Sequence, residues 1–101
     1  MGPAPRPKQW AYPCVLTEHV FDKVRALDLN LAEFEAVLTG TGEVIEESVL
    51  ADGLKEVVLL IDWREPLHVV VVVDDIHREE RVVTVYEPAT DRWSDDYRRR
   101  R

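Results

Sequence analysis

The chain has 101 residues, 46% of them hydrophobic and 33% charged: enough apolar content for one small folded domain, too little length for two independent cores. Its net charge is −7, and the four arginines that close it, Arg98 to Arg101, mask a deeper imbalance, because the rest sets nine basic residues against twenty acidic ones. Such a body repels phosphate at long range, which excludes nucleic-acid binding through a general basic field and leaves only a local basic patch to do it.

Residues 1–13, "MGPAPRPKQWAYP", hold four prolines and no apolar leader segment, so an irregular arm is expected, with Trp10 and Tyr12 free to pack on the body. Thr17 is a suitable N-cap for a first helix over 17–28, with Val20, Phe21, Val24 and Leu27 on one face. Asn30 followed by Glu33 is a capping-box pattern and opens a second helix whose stripe is Leu31, Phe34, Val37 and Leu38. Gly40 and Gly42 are expected to end it in the left-handed conformation.

After Gly42 the period falls to two. "EVIEESVL" and "KEVVLLIDW" read as strands, "WREPLH" as a hairpin connection, and "LHVVVVVDD" as a strand β-branched on both faces that must be central. "RVVTVYEP" follows the polar link "IHREE". Short connections favour antiparallel neighbours. The expected fold is therefore α+β, with two N-terminal helices on one face of a four-stranded, mainly antiparallel sheet. The arm occupies 1–13, the single domain 14–90, and an aromatic and arginine-rich tail 91–101.

The segments "EHVFDKVRALDLNLAEFEAVL", "VLLIDWREPLHVVVVVDD" and "VVTVYEPATDRW" resemble the bacterial family known as domain of unknown function 4258. The resemblance covers Thr17 to Trp93 and rests on His19, His68, Thr84, Tyr86 and Pro88; it departs from the family pattern at Lys23, Val24 and Asp28. It implies kinship with small RelE-like and BrnT-like toxins, some of which cut RNA, and an antitoxin-like protein partner. Two functions are open: a toxin-like component of a bacterial toxin–antitoxin module, with RNA cleavage as its activity, or a non-catalytic protein-interaction domain.

His19 and Lys23 stand one helical turn apart, so an imidazole base and an ammonium could face one phosphate. With Tyr86 they form the candidate catalytic set of a metal-independent ribonuclease. Arg64, His68, Arg81 and Thr84 are candidates for holding substrate or partner, with Tyr86 also able to stack on a base. His68 is expected at a sheet edge and His77 in solvent. Neither the histidine spacing nor the lone Cys14 suits a metal site, and no cofactor is expected. That single cysteine, with no membrane-length apolar run, fits a cytoplasmic protein. Trp93 and Tyr97 are expected to anchor a short helical turn from which Arg98, Arg99, Arg100 and Arg101 project, towards an acidic antitoxin-like segment sooner than towards RNA.

Overall fold

Both helices form where the 3.6-residue period places an apolar stripe. In a computed structural model that describes residues 5–101, α1 spans Glu18–Ala26 and buries Val20 and Val24, while α2 spans Leu31–Thr41 and buries Phe34 and Leu38. The Asn30 side chain accepts the Glu33 amide at 2.9 Å, completing the cap of α2. Thr17 makes no such cap, because its hydroxyl donates to the Val82 carbonyl at 2.9 Å and ties the start of α1 to the sheet. Gly40 stays helical and Gly42 is extended, with φ −62°, so the expected left-handed closure does not occur. Gly42 is needed for room: a β-carbon there would lie 2.7 Å from Val58 Cγ1 and 2.8 Å from the Leu38 carbonyl oxygen.

The four-stranded sheet expected from periodicity is corrected to a six-stranded mixed sheet. Its strands are β1 (Arg6–Pro7), β2 (Cys14–Leu16), β3 (Glu43–Leu50), β4 (Gly53–Leu60), β5 (Leu67–Asp74) and β6 (Glu79–Tyr86), in the spatial order β1-β3-β4-β5-β6-β2. Two strands therefore precede the helices. β1 adds antiparallel to β3, and β2 adds parallel to β6. Pro7 lacks an amide donor and is tolerated because β1 is the outermost strand. The arm expected to be irregular over 1–13 is, from residue 5 on, a strap that crosses the sheet and builds both of its edges; residues 1–4 lie outside the described residues.

β5 has β4 on one side and β6 on the other, and Val69 and Val71 are fully buried. The helix face of the sheet carries Val44, Val58, Leu60, Leu67, Val69, Val71, Val82 and Val85 beneath α1 and α2. Under the strap the same face turns polar. Lys8, whose side chain is 1% exposed, donates at 2.6 Å to both Glu56 and Glu80, themselves 5% and 1% exposed. Glu80 also accepts the Ala11 and Tyr12 amides, and the Lys8 ammonium sits 4.3 Å from the Trp10 ring centroid. Buried charges persist only when paired and hydrogen-bonded, and here one lysine bridges the carboxylates of two strands while Arg6 shares Glu56.

Candidate functional site

Register places Val57 and Leu59 of β4, His68, Val70, Val72 and Asp74 of β5, and Arg81, Thr84 and Tyr86 of β6 on the face away from the helices. That face has a covered half and an open half.

The cover is the C-terminal segment, residues 87–101. Trp93, 3% exposed, packs with Ile45, Val57 and Leu59, with Tyr97 alongside. Trp93 bridges Arg100 in an antiparallel pair, so the segment folds back on itself as a small hairpin and not as the expected helical turn. The arginines do not project as a group. Arg98 makes a bidentate pair with Glu43, Arg100 pairs with Glu46 at 2.7 and 3.0 Å while lying 4.6 Å from the Trp93 ring centroid, and Arg101 reaches Asp95 at 2.8 Å. Arg99 alone among the four makes no side-chain hydrogen bond or ion pair among the described residues and stays exposed.

Beneath the cover lies His68. Expected at a sheet edge, it is instead on a central strand and fully buried, with its ring edge-on to Trp93 at 4.2 Å and to Tyr86 at 5.4 Å. Its Nε2 is 2.8 Å from the Tyr97 carbonyl. A carbonyl only accepts, so Nε2 carries the proton and Nδ1, which has no partner, presents a buried lone pair. Burial pushes the His68 pKa down and the Tyr86 pKa up, which leaves both neutral and neither suited to binding phosphate.

The open half is built by the far ends of the same strands. Leu50 is 42% exposed, Ile76 66%, and Val15 of the edge strand β2 36%. Leu50, Val72, Ile76, Asp52, His77 and Arg81 line a cavity of about 290 Å³. Asp74 organises its wall. One carboxylate oxygen accepts the Ile76 and His77 amides, and the other accepts His77 Nδ1 at 2.7 Å and Arg81 at 2.6 Å. The Arg81 guanidinium, first, and these turn contacts hold the Asp74 carboxyl well below the usual carboxylate range. Arg81 also pairs with Glu79 at 3.1 Å, so it stiffens the turn and adds little free positive charge.

The remaining candidates separate. His19 Nε2 lies 3.3 Å from Thr84 Oγ1, on an exposed surface, with Lys23 one exposed turn further along α1. Tyr86, the third member of the expected catalytic set, turns its ring to His68 instead. Arg64 is 3.9 Å from Glu33, which also accepts the Trp63 indole at 2.7 Å, so it belongs to the α2 surface. Burial pushes the Cys14 thiol up to about 11, which keeps it protonated and unreactive. Among the described residues no cluster of histidine, cysteine or carboxylate side chains could hold a metal ion, and no helix is long and apolar enough to cross a membrane. No family model, curated protein or solved structure matches the chain.

Sequence reasoning missed Asp74 and His77 as a unit. Their signal was the spacing Asp74-x-x-His77 at a polar link between two strands, where an aspartate caps the turn and takes an imidazole three positions on. It also missed Leu50, at the end of β3, and Ile76, in the turn between β5 and β6, two aliphatic residues with no local reason to be exposed.

Proposed function

We propose that the chain is a non-catalytic protein-interaction domain, and that it binds through the open half of the sheet. The supporting observation is the cavity of about 290 Å³ flanked by exposed Leu50 and Ile76 on a wall stiffened by Asp74, His77 and Arg81. Its partner is a protein segment that presents an aliphatic side chain between lysines or arginines. The apolar rim calls for the aliphatic group, and the chain's −7 charge, with exposed Asp52 and Asp75 beside the cavity, calls for the basic flanks. A reducing, cytoplasmic setting fits the lone Cys14.

The test is a titration with a capped peptide carrying one leucine between two arginines, followed by amide chemical shifts. Shifts should centre on Leu50, Val72 and Ile76, and Ile76→Asp should weaken binding by about tenfold or more without moving the melting temperature. Shifts centred elsewhere, or equal binding by the variant, would sink the proposal.

One observation favours a second reading, an RNA-cleaving toxin-like protein of the kind its resemblance to domain of unknown function 4258 implies. It is the exposed His19 and Thr84 pair with Lys23 nearby, which puts a proton carrier, a hydroxyl and a cation on one surface. On this reading expression of the chain arrests growth and degrades RNA. His19→Ala then relieves both while the melting temperature stays put; a variant as toxic as the parent removes the reading.

A further inference from the structure

The cover is residues 87–101, folded over one half of the sheet face away from the helices. It packs Trp93 and Tyr97 on three apolar residues of that face, Ile45, Val57 and Leu59. Val57 pairs with Val70, itself only 8% exposed, and Val70 is followed on the same face by Val72 of the open half, so the covered and open apolar residues adjoin. Lifting the cover would thus extend the apolar surface and not merely expose isolated side chains. Besides the packing of Trp93 and Tyr97, its polar attachments to the sheet are two ion pairs at the periphery, Arg98 to Glu43 and Arg100 to Glu46, and one hydrogen bond in the centre, His68 to the Tyr97 carbonyl.

That central residue is under tension. Tyr97 holds φ at 64°, in the left-handed region that a residue with a β-carbon occupies at a cost. It stays there while its carbonyl is in the hydrogen bond from His68. The imidazole, for its part, has no acceptor for a second proton, because Nδ1 is sealed among side chains. The groups around the ring are Leu59 of β4, Tyr86 of β6, Glu46 of β3, and Trp93, Tyr97 and Arg100 of the cover. Glu46 favours a charged imidazole, but its carboxylate is already engaged by Arg100, whose positive charge opposes one.

We propose that residues 87–101 are a releasable cover latched by His68, and that uptake of a proton on Nδ1 opens it. A protonated ring would leave a charged N–H buried without an acceptor, a state that opening relieves by returning the imidazole to water. The sign follows from burial. The closed state holds the His68 pKa below its ordinary 6.5, so the latch contributes in full above that value and loses strength as pH falls beneath it. Raising salt acts in the same direction by screening the two peripheral pairs. The cover's release extends the binding surface assigned above, yet it is measured with no partner present and so stands or falls separately from that assignment.

Amide hydrogen exchange, corrected for intrinsic rates, reads the latch. In the closed segment the Ser94 amide is bonded to the Arg99 carbonyl at 2.7 Å and the Arg101 amide to the Arg92 carbonyl at 2.9 Å. Between about pH 7.5 and about pH 5, protection at these two amides should fall about tenfold while the Val58, Val69 and Val71 amides keep theirs. His68→Gln, whose amide nitrogen can still donate to Tyr97 but cannot charge, should abolish the pH dependence. If that variant does not fold, the wild-type imidazole titration must share its midpoint with the loss of protection. Equal loss in the cover and the sheet, a pH-independent cover, a pH response that survives His68→Gln, or separate midpoints would each overturn the proposal.

Discussion

Lys8→Met is expected to destabilise the domain by about 3–5 kcal/mol, the cost of leaving buried carboxylates without their cation. The methionine fills nearly the same volume, so the loss is electrostatic. Among the described residues Glu56 would keep only Arg6, at 3.4 Å, and Glu80 only the Ala11 and Tyr12 amides. Urea denaturation measures the change, and adding Glu80→Gln to Lys8→Met should recover part of it, because one of the two orphaned charges is then gone. A single variant as stable as the parent, or a double variant less stable than the single one, would show that Lys8 does not neutralise this site.

Val71→Asp is expected to abolish folding. Val71 is fully buried, paired with Glu56 on one side and Val82 on the other, and faces the helices. Its apolar burial is worth about 1.5–3 kcal/mol, and a carboxylate in its place adds a desolvation cost that brings the total to at least about 4 kcal/mol. A domain of this size holds about 5–15 kcal/mol in all. Thermal unfolding followed by circular dichroism decides the matter: a melting curve like the parent's would remove β5 from the centre of the sheet.

These two residues differ in how far the sequence announces them. Val71 sits in a run of five valines whose burial on both faces follows from side-chain type alone, and α1 and α2 follow equally from their apolar period and from Asn30. Lys8 reads as one more charge in a proline-rich stretch, and Glu56 and Glu80 read as the solvent-facing positions of alternating strands. Nothing local says that these three meet, because what unites them is a two-residue and a three-residue strand whose pairing is decided over most of the chain's length. The candidate site divides the same way. The sequence marks His19 and Thr84 as candidates and they do approach each other, whereas the burial of His68 depends on a C-terminal segment with no periodicity of its own. The arginines, taken alone, suggest a target outside the chain; the glutamates that take Arg98 and Arg100 lie more than fifty positions earlier.

The strap has a consequence for the route by which the chain folds. Lys8 and Glu80 are 72 positions apart, so the segment that completes both margins of the sheet finds its place only once β3 to β6 have assembled. Until then the nascent sheet carries two unprotected flanks and two carboxylates turned towards an interior that lacks its cation. Refolding should therefore pass through a stage open to intermolecular strand pairing, and the yield of native protein should fall with concentration more steeply than the final, edge-protected structure would suggest.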